Sequence, residues 1–599
     1  MFQTFDATTN PADGPSRLAA LRAALSGLGL TGFLVPRADR HQGEYVAPCD
    51  ERLAWLTGFT GSAGFAAVLP DVAGVFIDGR YRVQVKAQVD TTHFTPVDWP
   101  ETRLADWLIA QAPAGAKIGF DPWLHTVKEV AALSRALEAK GLALVPVAQN
   151  PVDGIWQGRP AEPAAPIIAH SLEFAGESSA DKRARLGAEL REAGVGAAVL
   201  TLPDSVCWLL NIRGADIARN PVARVNAVLE ASGKVDLFCD PAQVDGLDLG
   251  ADVAVLPRAS FAAALAELGG HVRIDPDSAP EAVAALLRGK AEVVEGPDPC
   301  LLPKARKNAA ELDGMRAAHL RDAVAMVKFL AWLDDAAPGG TLTEIAVVEQ
   351  LEGFRREANE LREISFDTIS GAGPNGAIVH YRVTHDTNRT VRPGELLLVD
   401  SGGQYLDGTT DITRTVTVGP PPEGAAEAFT RVLKGMIAMS RIRWPEGRAG
   451  RDIEAVARYP LWLAGQDYDH GTGHGVGAYL SVHEGPARLS RLSEIALEPG
   501  MILSNEPGYY REGHWGIRIE NLVVVEPAPA LKGADARAML AFETLTFVPI
   551  DRHLIVTEML SQGERDWLDA YHAEVWQRVG SRVQGEVRDW LRQATAPLG

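Results

Sequence analysis

The stretch LLLVDSGGQYLDGTTDITRTV (396–416) decides the fold of the C-terminal half, because two apolar runs flank a polar turn and each carries an aspartate. Asp400 ends the first run, and Asp411 precedes the second, eleven residues later. Such runs predict an antiparallel hairpin that brings both carboxylates to one face. Acidic groups at the ends of apolar strands cost free energy unless their charge is compensated. The stretch therefore predicts a cation site.

A second pair of runs repeats this pattern further along the chain. LSNEPGYY (503–510) and GIRIENLVVV (516–525) carry Glu506 and Glu520, fourteen residues apart, and REGHW between them predicts the turn of another hairpin. Two such hairpins facing each other would collect all four carboxylates in one cleft.

A histidine among glycines completes the candidate site. His474 lies in HGTGHGVG (470–477), whose glycines let the backbone pass close to metal and substrate. Four carboxylates and one imidazole are typical ligands of two divalent cations, whose charges balance those of the carboxylates. A water held between such ions becomes a nucleophile near neutral pH, so the residues predict metal-assisted hydrolysis. No GxSxG serine motif and no strand-to-helix GxGxxG context offers another chemistry.

Composition restricts the partners and the compartment. The 599 residues are 46% apolar, enough for several soluble domains, and the net charge of −20 argues against a nucleic-acid partner. No apolar run approaches a membrane span, and the N-terminus has no basic start followed by an apolar core, so we expect neither membrane insertion nor secretion. The four cysteines form no CxxC, which predicts free buried thiols in a cytoplasmic protein: Cys49, Cys207, Cys239 and Cys300.

The first half of the chain contains an internal repeat. The amphipathic stretches 16–30 and 181–195 align Leu21 with Leu186 and Leu25 with Leu190, and each leads into a short apolar strand. Two similar α/β domains are therefore predicted, at 1–155 and 156–302.

The second half is predicted to begin with a long helix and to end with helices. Residues 308–336 read as an amphipathic helix that Asn308 and Glu311 cap. A third domain is predicted at 303–535 and a mostly helical extension at 536–599. Apolar residues in the extension recur at helical steps and predict a packing or dimer element: Leu568, Tyr571, Val575, Val579 and Val583.

The motifs together resemble those of a known enzyme family. The hairpin motifs, HGTGHGVG and VHEGP (482–486) resemble the pita-bread metallopeptidases. The resemblance extends to the long, three-domain X-prolyl aminopeptidases (aminopeptidase P) through EYVAPCDERLAWLTGFTGSAG (44–64), NIRGADI (211–217) and FETLTFVPIDRHLI (542–555). It implies an α/β and α+β protein with two creatinase-N-like domains, a pita-bread catalytic domain and the helical extension.

The resemblance also implies roles for individual residues. It implies two divalent ions, manganese in the first place with zinc or cobalt as alternatives, held by Asp400, Asp411, His474, Glu506 and Glu520. Glu520 would bridge both ions, and Glu506 would also accept the proton of the bridging water. His483 would bind the scissile carbonyl and pass a proton to the leaving nitrogen, and His380 would contact substrate or stabilise the tetrahedral intermediate.

Three further residues complete the predicted site. By the resemblance, His470 lines the pocket for the proline ring. Arg518, two residues before Glu520, is predicted to hold Asp400 or Glu520 through a bidentate ion pair. Tyr510, four residues after Glu506, is also expected to reach the site. Arg518 and Tyr510 are counted with the three histidines His380, His470 and His483 as candidate substrate-binding residues.

The predicted activity is hydrolysis of the N-terminal X-Pro bond of peptides by a metal-bridging hydroxide in a homodimeric aminopeptidase. An X-Pro bond has no N–H, so a subsite that requires this donor fails, whereas an apolar pocket walled by imidazoles accepts the ring. Asp400 would neutralise the free amino end of the substrate. The alternatives are a prolidase that cuts only dipeptides, a pita-bread protein that binds peptides without catalysis, and a creatinase-type hydrolase without metals.

Overall fold

The computed structural model describes residues 1–598 and divides the chain into two compact units. One unit is Thr8–Leu301, and the other joins Met1–Ala7 to the chain from Leu302 onwards. The second unit is called the C-terminal unit below. The domain boundaries given above stay predictions.

The Thr8–Leu301 unit contains two six-stranded mixed sheets with the same topology. Numbered along the chain within each sheet, the strands lie side by side in the order 4-3-2-1-5-6 in both. The internal repeat is thus confirmed as a repeat of fold. The strands of the first sheet are Gly32–Pro36, Phe65–Val68, Ala73–Ile77, Thr95–Asp98, Lys117–Phe120 and Ala143–Pro146. Those of the second are Ala197–Leu200, Asn226–Glu230, Val235–Cys239, Val253–Pro257, Gly270–Ile274 and Ala291–Glu295.

The helices of this unit follow the predicted periodicity. Gly14–Gly27 and Ser179–Glu192 are the two aligned helices, and all four of their matched leucines are buried. They form helices because leucines recur on one face and bury it against a sheet. The other main helices are Arg52–Thr57, Leu104–Gln111, Val127–Glu138, Pro203–Leu210, Phe261–Glu267 and Glu281–Leu287.

The C-terminal unit begins with the predicted long helix, Ala309–Ala336. Asn308 accepts from the Glu311 amide and Glu311 accepts from the Asn308 amide, as the capping pattern predicts. The remaining main helices are Glu344–Arg356, Ala425–Arg441, Ala455–Trp462, Gln562–Val579 and Gly585–Ala594.

Antiparallel strands carry the candidate site. One three-stranded sheet consists of Ile369–Ala372, Glu395–Ser401 and Ile412–Val418. A six-stranded sheet consists of Trp444–Pro445, Met539–Thr544, Asn521–Pro527, Ile502–Asn505, Gly473–Gly475 and Glu484–Leu489. A separate hairpin pairs Gly508–Arg511 with Trp515–Arg518.

The predicted helical extension packs into the main core of this unit. The five residues singled out from its sequence, from Leu568 to Val583, are all buried in the apolar cluster that surrounds the Ala425–Arg441 helix. The prediction of a packing element is confirmed: four of these residues lie in the Gln562–Val579 helix, and Val583 lies in the connection to the next helix. Among residues 1–598 no helix is both long and apolar enough to cross a membrane. The four cysteines are free and buried, as predicted.

Candidate metal centre

The structure brings the five predicted ligands together. Their ligand atoms form overlapping groups whose members lie within 4.8 Å of one another: Asp400, Asp411 and Glu520; His474, Glu506 and Glu520; and Asp411, His474 and His483. Residues up to 120 positions apart thus meet in one cluster, and the ligand assignment itself stays a prediction.

The first predicted hairpin places both aspartates. Glu395–Ser401 pairs with Ile412–Val418, with Asp400 opposite Thr413, and Asp411 immediately precedes the second strand. Thr413 Oγ1 donates to Glu520 Oε2 over 2.8 Å and accepts from Arg518 Nε over 3.1 Å. Thr413 was missed from the sequence, although its position two residues after Asp411 puts it on the same strand face.

The second predicted hairpin is interrupted where its glutamates lie. Ile502–Asn505 pairs with Asn521–Pro527, whereas Gly508–Arg511 pairs with Trp515–Arg518 in a separate sheet. Glu506 and Glu520 occupy the break, where Pro507 has no N–H to continue a ladder. The prediction of two continuous strands was therefore wrong in detail. Because of the break, neither Glu506 nor Glu520 lies within a strand.

His474 presents one ring nitrogen to the carboxylates. Its Nδ1 donates to the Gly475 carbonyl over 3.0 Å, which leaves Nε2 as the lone-pair nitrogen. Nε2 lies 3.5 Å from both Asp411 Oδ2 and Glu506 Oε1. Ser504 supports this arrangement, because its Oγ accepts from the His474 amide and donates to Glu506 Oε1. Ser504 lies two residues before Glu506, which is the signal that could have identified it.

The glycines around His474 are needed for close packing between strands. A Cβ on Gly473 would lie 1.9 Å from the Ser504 carbonyl oxygen, and one on Gly475 would lie 2.2 Å from that of Glu484. The sequence analysis predicted that these glycines let the backbone approach metal and substrate. The atoms that an added Cβ would meet belong instead to neighbouring strands. Small residues are thus required for the strand pairing that positions His474.

The cluster has the properties expected of a cation site. Asp400 Oδ1 and Glu520 Oε1 are buried and lack a hydrogen-bond partner within residues 1–598. Burial raises the pKa of Asp411 to about 6 and that of Glu506 to about 7, and burial with repulsion from the other carboxylates raises that of Glu520 well above its usual range. Unpaired buried carboxylate oxygens are costly, and two divalent cations would supply the missing positive charge. The residues therefore fit a dinuclear centre.

The raised pKa values predict how metal should stabilise the protein. Without metal, folded Asp411 and Glu506 retain protons to about pH 6 and 7, whereas unfolded carboxyls lose theirs near pH 4. The folded state binds more protons, so the stability of the metal-free protein should fall as pH rises through this window. Cations favour the ionised carboxylates, so the rise in Tm on adding Mn²⁺ should be larger at pH 8 than at pH 5. An equal rise at both pH values would contradict this expectation.

Arg518 is buried and donates hydrogen bonds to three different side chains. It donates through Nη2 to Asp400 Oδ2 over 2.6 Å and through Nη1 to Tyr510 Oη over 2.7 Å. The predicted ion pair with Asp400 is confirmed, but its predicted bidentate geometry was wrong, because Nη1 and Nε donate to Tyr510 and Thr413 instead. With 1% exposure, this arginine is placed to hold its neighbours, and its substrate contact stays a prediction.

Tyr510 joins Arg518 to His470. The Tyr510 hydroxyl lies 2.9 Å from Nε2 of His470, whose Nδ1 donates to the Gly471 carbonyl over 2.8 Å. Burial raises the pKa of Tyr510 to about 12, so this hydroxyl keeps its proton and donates a hydrogen bond to Nε2 of His470. The ring orientation of His470 is thereby fixed.

The accessible side of the cluster carries His483, one of the predicted catalytic histidines. Asp400, Asp411 and Glu520 are buried, whereas His474, Glu506 and His483 are partly exposed. The His483 ring lies 4.2 Å from the His474 ring, centre to centre. His380 is also partly exposed, and the carbonyl of its neighbour Val379 accepts from Arg518 Nη1 over 3.4 Å. A substrate would approach from this side.

Comparison with known families covers nearly the whole chain. The profile of "Metallopeptidase family M24" matches residues 313–527, and that of the C-terminal region of this peptidase family matches residues 538–598. Two creatinase/prolidase N-terminal domain profiles match residues 17–153 and 158–311.

Full-length relatives support the same assignment. A protein of Ajellomyces dermatitidis named "Probable Xaa-Pro aminopeptidase P" is 38% identical over 622 residues, which cover 98% of this chain and 100% of that protein. This chain belongs to metallopeptidase family M24. A protein of the same name from Laccaria bicolor is 39% identical over 99% of this chain. Within M24, the chain is of the long, three-domain X-prolyl aminopeptidase type, as the motifs predicted.

Solved structures agree with this assignment. The X-prolyl aminopeptidase of Caenorhabditis elegans, described as a cytosolic enzyme with a dinuclear active site, superposes with a TM-score of 0.92 at 32% identity. The match covers 98% of this chain and 100% of that chain. An Xaa-Pro dipeptidase from Bacillus anthracis matches at 24% identity and a TM-score of 0.50 over 62% of this chain, which shows a shared fold only.

Arg414 is a buried residue of the M24 domain that the sequence analysis missed. Its N–H groups lie within hydrogen-bond distance of six acceptors, among them the Glu520 carbonyl at 2.6 Å and the Tyr571 hydroxyl at 3.0 Å. It thereby ties the backbone of a predicted ligand to the C-terminal helix Gln562–Val579. No sequence signal distinguishes this arginine from a surface one, since its acceptors are mostly backbone carbonyls.

Substituting Arg414 by methionine should destabilise the M24 domain. We expect a loss of at least about 3 kcal/mol, because each buried acceptor left without a donor costs about 1–3 kcal/mol. Urea unfolding followed by circular dichroism measures this difference. Arg448→Met, at an exposed arginine of the same unit, is the control and should stay within about 0.5 kcal/mol of the parent. Equal effects of the two substitutions would contradict the role assigned to Arg414.

Proposed function

We propose that this M24 protein is a metal-dependent aminopeptidase that hydrolyses the N-terminal X-Pro bond of peptides. The observation that carries the proposal is the convergence of four carboxylates and His474 in a chain whose full-length relatives are named Xaa-Pro aminopeptidase P. Asp400, Asp411, His474, Glu506 and Glu520 would hold two divalent ions. When bound, such ions supply Lewis acidity, which polarises a carbonyl and makes water nucleophilic near neutral pH.

The side chains of this chain divide the proton transfers between them. Ser504 donates to Oε1 of Glu506, so Oε2 is assigned to accept the proton of the attacking water. The water oxygen adds to the carbonyl carbon, the C–N bond to proline breaks, and a ring nitrogen of His483 delivers a proton to the leaving nitrogen. His380 follows Val379, whose carbonyl accepts from Arg518, and is assigned to the substrate or the tetrahedral intermediate.

The proline ring is assigned to the pocket at His470. Tyr510 fixes the orientation of this imidazole, so its face forms a rigid wall for an apolar ring. Since the X-Pro amide has no N–H, the pocket needs no acceptor for one. The unpartnered Oδ1 of Asp400 is available for the free amino end of the substrate or for a metal ion.

A substrate panel tests this function. The protein loaded with Mn²⁺ should cleave X-Pro-Pro peptides, and it should cleave X-Ala-Pro or N-acetylated peptides at least about 100-fold more slowly. A strong preference for X-Pro dipeptides over longer peptides would indicate a prolidase instead. Absence of cleavage with every metal would indicate a peptide-binding protein, and cleavage that survives full metal removal would indicate a creatinase-type hydrolase.

The native metal and the cellular location belong to the same proposal. Manganese is proposed as the native metal, with zinc and cobalt as alternatives, because an oxygen-rich site with one imidazole accepts all three. Cytoplasmic location is supported by the C. elegans enzyme, described as cytosolic, and by the buried free cysteines.

A homodimer is also proposed. Exposed apolar side chains at the end of the Ala455–Trp462 helix support it, since such groups on a surface mark interaction sites: Tyr459, Trp462 and Leu463. Light scattering coupled to gel filtration should give twice the mass of 64.1 kDa, and a mass of one chain would contradict the dimer.

A further inference from the structure

A five-residue segment remote in sequence from every predicted site residue packs against the candidate site. This segment, Phe2–Asp6, is called the strap. Gln3 and Phe5 are 2% and 8% exposed, so alternate residues of the strap are buried in the C-terminal unit. The proposed function assigns nothing to it.

One end of the strap holds the strand next to Asp400. The Thr368 amide donates to Gln3 Oε1 over 2.8 Å, and Gln3 Nε2 donates back to the Thr368 carbonyl over 3.3 Å. The next residue, Ile369, is the strand partner of Asp400. Gln3 therefore completes the backbone pairing at the end of the strand that supports a predicted ligand.

The other end of the strap holds the segment that carries His380. The His385 amide donates to the Phe5 carbonyl over 2.8 Å. Arg382 donates to the carbonyls of Thr4 and Asp6, over 2.7 and 3.1 Å. Residues two and five positions after His380 are thus bound to the backbone of the strap.

The Phe5 side chain fills the space between these two contacts. It belongs to an apolar cluster with Ile369 from the strand and with Tyr381 and Val383 from the His380 segment. The same cluster contains Leu398, two residues before Asp400. One buried ring thus contacts elements that carry two predicted site residues.

We propose that the strap is a positioning element that fixes His380 relative to Asp400. The inference rests on the proposed function, in which His380 acts on the substrate or the tetrahedral intermediate. Arg518 holds the Val379 carbonyl on one side of His380, and the strap holds residues 381–385 on the other. These two anchors hold the backbone on both sides of His380. A shift of about 1 Å in such a group is enough to lower the rate up to about 100-fold.

Phe5→Ala tests the proposal in the metal-loaded, full-length enzyme. It should lower kcat for an X-Pro-Pro peptide about tenfold, with KM and the two-ion metal content unchanged. Phe5→Leu should recover most of the activity, because leucine refills the apolar cluster. Asp6→Asn, which changes an exposed side chain of the strap, is the matched control and should behave as the parent.

A double-mutant cycle separates positioning from general destabilisation. If the strap acts through His380, then Phe5→Ala should cost less than about twofold once His380→Ala is present. A full tenfold loss in both backgrounds would overturn the proposal. If Phe5→Ala fails to fold, Gln3→Leu takes its place, because it removes both amide hydrogen bonds with little change in volume.

Hydrogen exchange gives a readout that does not depend on activity. In the metal-free protein, Phe5→Ala should accelerate amide exchange of the peptides that contain Thr368 and His385 at least about tenfold, with the Ala425–Arg441 helix unchanged. Unchanged exchange in these peptides would overturn the proposal. If His380→Ala cleaves X-Pro peptides normally, the role assigned to His380 is wrong, and the exchange result still shows whether the strap holds its segment.

Discussion

Replacing Glu520 by glutamine is expected to lower kcat/KM for an X-Pro peptide by at least about 1,000-fold, which corresponds to about 4 kcal/mol of lost transition-state stabilisation. Glutamine keeps the volume of the side chain and can still accept the hydrogen bond from Thr413 Oγ1. It removes the negative charge that belongs to two of the three overlapping groups of candidate ligands. The expected loss therefore comes from weakened binding of both ions.

Metal analysis decides between this explanation and misfolding. Plasma emission spectrometry should find two ions per chain in the parent and fewer than one in Glu520→Gln. Glu526→Gln, in the Asn521–Pro527 strand but outside the ligand groups, is the control and should keep both ions. A Glu520→Gln protein that retains two ions and full activity would remove the basis of the proposed function.

Replacing Glu506 by glutamine is expected to produce the second largest effect. In protein saturated with Mn²⁺ it should lower kcat by about 100- to 10,000-fold, the usual contribution of a positioned base, while KM changes little. The parent should lose activity as pH falls, because a protonated Glu506 cannot accept the proton of the water, and this acidic limb should disappear in the variant. The pH profile of kcat measured with both proteins tests this assignment.

A matched substitution makes the Glu506 result specific. Glu498→Gln changes a partly exposed glutamate of the same unit that pairs with Arg306, and its pH profile should match that of the parent. If Glu506→Gln keeps the acidic limb, another group is the base. His483 is the next candidate, because it lies beside Asp411 and His474 on the accessible side.

The candidate ligands could be predicted from the sequence because strand patterns and acidic residues coincide there. Asp400 and Asp411 lie at the turn ends of two apolar runs that pair as a hairpin. Thr413 and Ser504 obey the same period of two and could have been found by extending the argument from each ligand to its neighbours on one face.

Other parts of the site depend on long-range packing, which a single sequence does not encode locally. The six acceptors of Arg414 lie in the M24 domain and its C-terminal extension, and five of them are more than 100 residues away in sequence. The break at Glu506 is visible only as Pro507, which does not indicate that the flanking strands join different sheets. No periodic pattern in the sequence indicates the contacts of Phe5, because its partners are residues more than 300 positions further along the chain.

The strap has a consequence for biosynthesis. Gln3 and Thr368, which hydrogen-bond to each other, are separated by 365 residues. At translation rates of about 5–20 residues per second, Gln3 leaves the ribosome roughly 20 to 70 seconds before its partner. During that interval Phe5 is an exposed apolar side chain on a growing polypeptide, available to chaperones. The strap can therefore pair with Thr368 only after more than half of the chain has been made, even if the Thr8–Leu301 unit has already folded.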